Sequence, residues 1–169
     1  MPGTNIAVTT GMNDVAANRP LTLPSPSHFE MLGGQQGVVR LVQSFYRHMD
    51  TRADARTVRA MHASDLASTQ AVLVLYLCEW LGGPKDYSAQ RGHPRLRMRH
   101  QGFAIGAPER DAWLACMAAA LEEVDAPPSL RDALMNAFFK TADWMRNTGP
   151  AAALSLFSAS PISTPLHPT

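Results

Sequence analysis

Apolar residues recur every three to four positions through most of residues 28–146, and this spacing strongly limits what the chain can fold into. Side chains at i, i+3, i+4 and i+7 share one face of an α-helix, whereas a half-buried strand needs strict alternation. The helical spacing is present in 38–49, 66–80, 108–124 and 129–145. No alternating run and no Asn-Gly or Asp-Gly hairpin turn occurs. The sequence therefore predicts an all-α domain with four main helices and long connections.

Helix boundaries are marked by capping residues and glycines. Ser27 is predicted to cap a short helix over 28–32, which Gly33-Gly34 would end. Residues 129–132 (SLRD) resemble a capping box and are predicted to open the last helix. Residues 50–64 are polar and irregular, so we expect a loop or single turns there.

Charged residues divide the chain into a folded unit and two extensions. Among all Lys, Arg, Asp and Glu residues, only Asp14 and Arg19 precede residue 28, and none follows residue 146. Both ends carry several prolines and show no helical or strand period. We therefore predict one domain at 28–146, with flexible extensions at 1–27 and 147–169.

Composition excludes several classes of protein. A formal net charge of +1 argues against a general nucleic-acid binder. No apolar run reaches the roughly 18 residues of a membrane helix. The two cysteines, Cys78 and Cys116, do not form a Cys-x-x-Cys pair and are too few for a disulfide scaffold. The start of the chain lacks a signal-peptide pattern. We expect a cytoplasmic monomer or homodimer without a nucleic-acid or membrane partner.

A basic segment before residue 100 holds the most distinctive chemistry. It contains Arg91, His93, Arg95, Arg97 and Arg99. On a helix, Leu96, His100 and Phe103 would share one face and direct the imidazole towards the core. An inward imidazole needs a hydrogen-bond partner or a metal. Guanidinium groups pair with carboxylates or phosphates. The alternative is a core histidine bonded to a carbonyl, beside a solvated basic face. Haem, apolar with carboxylates at its edge, would use both features.

Several short motifs, in their order and separation, resemble the group II truncated haemoglobins. They are Gly33-Gly34, Phe45-Tyr46, residues 81–84 (LGGP), Tyr87-Ser88, residues 92–100 (GHPRLRMRH) and residues 110–117 (RDAWLACM). The resemblance covers residues 29–146. It implies a two-over-two helical sandwich that encloses one haem b (iron protoporphyrin IX).

The resemblance also implies roles for single residues. His100 matches the proximal ligand of the haem iron, with a backbone carbonyl as the expected acceptor for its other nitrogen. The distal residues beside a bound gas would be Tyr46, His62, Trp113, Thr69 and Leu73. The residues near the haem propionates would be Arg99, Tyr87 and His93. We expect Phe45, Leu96, Phe103 and Tyr76 to pack against the haem.

One departure from the family lies directly after the proximal histidine. Relatives often have prolines around the phenylalanine there, whereas this chain has residues 101–105 (QGFAI). Gly102 loosens the backbone, so we expect a softer proximal side.

The distal set predicts what the protein does with its ligands. Phenol, indole and imidazole groups can donate to the outer atom of a diatomic ligand, and several such bonds would slow its release. The expected function is binding of O2, with NO and CO as further ligands, at a five-coordinate iron. Nitric oxide dioxygenation or peroxidase turnover with a reductase partner is one alternative. A haem-free helical interaction module is another. His62 is also a candidate internal sixth ligand.

Overall fold

The computed structural model describes residues 25–149, and every regular element in that part of the chain is helical. The elements are α1 (His28–Met31), α2 (Gly34–Thr51), a 3₁₀ turn (Ala53–Ala55), α3 (Arg56–Ala60), α4 (Ala67–Trp80), α5 (Asp86–Arg91), α6 (Leu96–His100), α7 (Ala107–Glu123) and α8 (Pro128–Met145). The all-α prediction is confirmed. The predicted extensions fall mostly on residues 1–24 and 150–169, which lie outside the described residues.

The four long helices form two packed pairs. Helix α2 packs against α4, α7 packs against α8, and α2 also contacts α7, which joins the pairs. The buried face of α2 includes Val38, Leu41, Val42, Phe45 and Met49, each at most 1% exposed. Burying a large apolar side chain is worth about 1.5–3 kcal/mol, so this stripe is a main source of stability. The predicted two-over-two sandwich is confirmed. In residues 25–149 no helix is long and apolar enough to cross a membrane.

The two predicted caps have different outcomes. At α1 the Ser27 hydroxyl accepts the Glu30 N–H at 3.2 Å, so the predicted cap at Ser27 is confirmed. The Glu30 carboxylate also accepts the Ser27 N–H at 2.8 Å, which completes a capping box that was not predicted. Helix α8 instead begins at Pro128, and no side chain caps it. Proline suits the first helical position because its φ is already helical and its missing N–H would have had no partner there. Ser129 therefore lies within the first turn, and the predicted capping box at the start of α8 is wrong.

A tight reversal joins α1 to α2. Gly33 and Gly34 both have left-handed backbones, with φ of 92° and 68°, which glycine adopts without steric cost. Three residues later, α2 passes so close to α1 that a Cβ at Gly37 would lie 1.8 Å from the Leu32 carbonyl oxygen. Only glycine fits at position 37.

We expect Gly37→Ala to lower the free energy of unfolding by about 1–3 kcal/mol, because the added methyl group forces α1 and α2 apart. Chemical denaturation of the purified protein measures this. Gly102→Ala is the matched control, since nothing lies within 4 Å of a Cβ there. Equal stability of the two variants would contradict the close approach of α1 and α2.

Candidate functional site

His100 ends α6 with one ring nitrogen already engaged. Its Nδ1 lies 2.7 Å from the carbonyl oxygen of Leu96, one helical turn earlier. A carbonyl only accepts, so in the neutral ring Nδ1 carries the proton and Nε2 keeps its lone pair. The ring is half-buried. A fixed imidazole whose Nε2 lone pair is free suits the coordination of a metal.

The segment after His100 differs from the prediction. Leu96 is half-buried beside His100 as expected, but α6 ends at His100. Phe103 lies in the following turn, where its side chain is 39% exposed. Glycine at position 102 disfavours a longer helix, and the His100 carbonyl accepts the Phe103 N–H at 3.1 Å in a turn. The predicted shared helical face therefore stops at His100, and the prediction that includes Phe103 in it is wrong.

His62 repeats the hydrogen-bond pattern of His100. Its Nδ1 lies 2.9 Å from the Val58 carbonyl oxygen, so Nδ1 is the donor and Nε2 the acceptor. Burial lowers the pKa of His62 below its usual 6.5, and the charge of Arg59, with that of His100 whenever it is protonated, lowers the pKa further. The Val58 hydrogen bond acts in the opposite direction. The neutral ring therefore accepts a hydrogen bond through Nε2, and it donates through Nε2 only when protonated.

Tyr46 supplies the buried hydroxyl of the site. Its side chain faces inward from α2 and is 3% exposed. Burial raises the pKa of Tyr46 to about 12, and the charge of Arg59 opposes the shift only in part. The phenol therefore keeps its proton at any physiological pH and remains a donor. Its ring meets that of His62 edge-on at 5.7 Å between centroids.

The predicted distal aromatics belong to one continuous group. Phe45 lies between Tyr46 and Trp113, with ring centroids 5.0 and 5.2 Å away. Trp113 also packs edge-on against Phe138 at 5.6 Å, and Phe138 stacks on Trp80 at 5.0 Å. The structure thus brings Tyr46 of α2, Trp113 of α7 and His62, which lies in the turn after α3, into one aromatic wall. Edge-to-face contacts of this kind hold rings in defined orientations.

Helix α4 borders the site with an apolar surface that the protein covers only in part. The predicted residues on it are Thr69, Leu73 and Tyr76, and all three are half-buried. Only Leu77 and Cys78 of this mostly apolar helix are buried. Tyr76 contacts the buried Tyr87 edge-on at 5.5 Å. The incompletely covered side chains leave apolar area for a ligand to bury.

Two of the predicted propionate-binding residues lie at the surface of the protein. Arg99 is exposed, and its Nε donates to the Pro94 carbonyl at 3.0 Å, which anchors the side chain and leaves its terminal nitrogens for another partner. His93 is exposed as well, and its Nδ1 accepts the Arg95 N–H at 3.1 Å. Of the three residues predicted near propionates, Arg99 and His93 are at the surface, whereas Tyr87 is buried.

These residues fit a haem on chemical grounds. The imidazole of His100 offers a free Nε2, which an axial ligand of the haem iron needs. The partly covered apolar side chains of α4 match a flat hydrophobic ring, and the guanidinium of Arg99 matches a carboxylate at its edge. The Tyr46 hydroxyl supplies a donor for a small polar ligand.

Two features of the site have no clear signal in the sequence. The Val58 carbonyl that fixes the tautomer of His62 is a backbone group, which sequence patterns do not identify. Asn147 falls in the predicted C-terminal extension, yet its side chain accepts the Ile105 N–H at 2.8 Å and donates to the Phe103 carbonyl at 2.7 Å. An asparagine just after a helix is a weak hint of a local cap, but it does not indicate a partner 42 residues away.

Comparison with known proteins gives a consistent result. The family model described as bacterial-like globin matches residues 27–147. The chain is similar to group 2 truncated hemoglobin YjbI of Bacillus subtilis, with 34% identity over 114 residues, which are 68% of this chain and 84% of that protein.

Solved structures agree with this match. The group II 2-on-2 hemoglobin of Agrobacterium tumefaciens is 36% identical with a TM-score of 0.71, over 75% of this chain and 98% of that one. The hemoglobin of Chloroflexus aurantiacus is 40% identical with a TM-score of 0.67, over 73% of this chain and 99% of that one.

The tautomer and the pKa of His62 can be measured directly. In protein prepared without a cofactor, long-range 1H–15N correlation spectra near neutral pH should show the Nδ1–H tautomer for His62. A pH titration followed by the same spectra should give His62 a pKa below 6.5, because burial disfavours the imidazolium. The unfolded chain then binds the proton more readily, so His62 destabilises the fold as the pH falls below 6.5.

His62→Gln assigns the signals and should remove this part of the pH dependence of stability. An Nε2–H tautomer at His62, or protonation above pH 6.5, would contradict the described geometry.

Proposed function

Because this chain belongs to the bacterial-like globin family, as a group II truncated haemoglobin, we propose that it binds haem b and holds oxygen on it with slow release. The observation that supports the proposal most directly is the hydrogen bond of His100 Nδ1 to the Leu96 carbonyl, which leaves Nε2 free. The same residue is the one that the family motif assigns to the iron.

His100 and Arg99 would hold the cofactor. Haem supplies an iron that binds O2, NO and CO reversibly. The Leu96 carbonyl makes the His100 ring a stronger base, and so a better iron ligand, by accepting a hydrogen bond from Nδ1–H. The Arg99 guanidinium would pair with a propionate at the rim, where salt screens the contact and keeps its contribution small. The half-buried apolar residues of α4 would pack against the haem.

Tyr46 would retain the ligand. The protonated phenol would donate a hydrogen bond to a small ligand that carries partial negative charge, and it is a donor at every physiological pH because its pKa is about 12. A hydrogen bond to a charged acceptor is worth about 1.5–3 kcal/mol. Trp113 joins the same aromatic wall and would add its indole N–H as a second donor.

His62 would act differently from Tyr46. In its neutral tautomer Nε2 accepts, so the ring cannot donate through this nitrogen to a negatively charged ligand. It would instead accept a hydrogen bond from a water or hydroxyl in the pocket. The same lone pair could bind iron. His62 is the only imidazole in the predicted distal set, so it is the candidate for a sixth iron ligand.

We expect the purified protein to show a Soret band that His100→Ala loses, because this substitution removes the imidazole that would hold the haem iron. Absorption spectra of the ferric, deoxy and carbonmonoxy states measure it. His28→Ala is the matched control, since it removes an exposed imidazole on α1. Added imidazole should restore the band in His100→Gly.

A colourless parent protein after expression with ample haem would overturn the proposal. If the ferric protein gives a low-spin spectrum that becomes high-spin in His62→Gln, the iron is six-coordinate with His62 as a ligand, and the proposal of a five-coordinate iron is wrong.

Tyr46→Phe should speed oxygen dissociation by about tenfold to a hundredfold, the kinetic equivalent of one lost hydrogen bond to a charged acceptor. Stopped-flow displacement of oxygen by carbon monoxide measures the rate. Thr51→Val is the control, because it removes an exposed hydroxyl from the end of the same helix. An unchanged oxygen dissociation rate in Tyr46→Phe would exclude this role.

A further inference from the structure

The connection from α6 to α7 has little packing of its own. Residues 101–104 are all exposed, and nothing lies within 4 Å of a Cβ built on Gly102. Helix α6 has only five residues and none is buried. A helix this short is not stable by itself, and an exposed segment with few contacts opens easily. Something outside this segment must therefore fix the orientation of His100.

Asn147 provides the missing contacts. Its Oδ1 accepts the Ile105 N–H at 2.8 Å, and its Nδ2 donates to the Phe103 carbonyl at 2.7 Å and to the His100 carbonyl at 3.4 Å. The backbone N–H groups of Asn147 and Thr148 both donate to the Ile105 carbonyl, at 2.9 and 3.2 Å. One side chain thus binds both ends of the connection, including the backbone of His100 itself.

A second anchor joins α6 to the same end of α8. Arg97 donates through Nη1 to the Trp144 carbonyl at 2.8 Å, and its guanidinium lies 5.6 Å from the centroid of the Trp144 ring. Arg97 holds the middle of α6, whereas Asn147 holds the residues from 100 to 105. The two contacts fix α6 relative to the end of α8, which is itself packed on α7.

The primary amide suits this place better than its closest isostere. It combines one acceptor for the Ile105 N–H with two donors for the carbonyls of His100 and Phe103. An aspartate has the same size and would keep the acceptor. Its second oxygen would meet two carbonyl oxygens, which repel it.

We propose that Asn147 is a positioning residue for His100, setting the direction and strain of the bond between the imidazole and the haem iron through the backbone of the α6–α7 connection. This inference rests on the proposed haem function. It gives the loose Gly102 segment an external support in place of the prolines that relatives often have there. Every hydrogen bond that the described structure gives Asn147 goes to a backbone group, so Asn147 acts on His100 through the main chain.

Resonance Raman spectroscopy of the ferrous protein tests the proposal, because the iron–histidine stretching band reports the strain on that bond. We expect Asn147→Ala and Asn147→Asp to keep the Soret band but to shift and broaden the iron–histidine band. Asn147→Gln retains both hydrogen-bonding groups one methylene further out and should fall between these variants and the parent. Asn136→Ala is the matched control, since it removes an exposed asparagine from α8.

The outcomes separate the two proposals. An iron–histidine band in Asn147→Ala and Asn147→Gln identical to that of the parent would overturn the positioning role and leave the haem function intact. If Asn147→Ala fails to take up haem, the iron–histidine band of Asn147→Gln alone is compared with that of the parent. An identical band would then overturn the positioning role. Absence of a Soret band in the parent protein would overturn the haem function, and the positioning role with it.

Discussion

The hydrogen bond between Nδ1 of His100 and the Leu96 carbonyl decides which nitrogen of the ring can act. It forms across one turn of α6, so it exists only while that short helix is intact. The helix has no buried residue of its own and depends on the contact of its Arg97 with Trp144 of α8 and on Asn147, which follows α8. The chemistry of one nitrogen therefore depends on a series of contacts that ends on the packing of α8 against α7.

His62 makes the same type of local hydrogen bond, but its surroundings differ from those of His100. There the Val58 carbonyl fixes the ring, while burial and the charges of Arg59 and His100 disfavour the imidazolium. Tyr46, against the same ring, is also buried, but burial preserves its proton and so its ability to donate. Burial thus favours the neutral form of both groups, which makes the phenol a donor and the Nε2 atom of the imidazole an acceptor.

The helices could be predicted from the sequence because their signals are local, whereas most residues of the candidate site were assigned from the resemblance to a family. The stripe of α2 and the cap at Ser27 follow from spacings of three and four residues. A backbone acceptor for the proximal imidazole could also be expected, because an inward ring must satisfy its second nitrogen. The start of α8 was misplaced, since Pro128 outweighs Ser129 as a helix-starting signal. Asn147 could not be found, because its partners are set by how α8 ends beside α6.

The contacts of Asn147 also bear on where the functional unit ends. A chain cut after residue 146 would keep all eight α-helices described here, and the apolar core with them, since the last helix closes at Met145. It would nevertheless lose every hydrogen bond that Asn147 and Thr148 make to the α6–α7 connection. Such a truncated protein would pass tests of helicity and compactness while its histidine was held less firmly. The shortest chain that folds and the shortest chain that holds His100 firmly would therefore differ by the hydrogen bonds of Asn147 and Thr148.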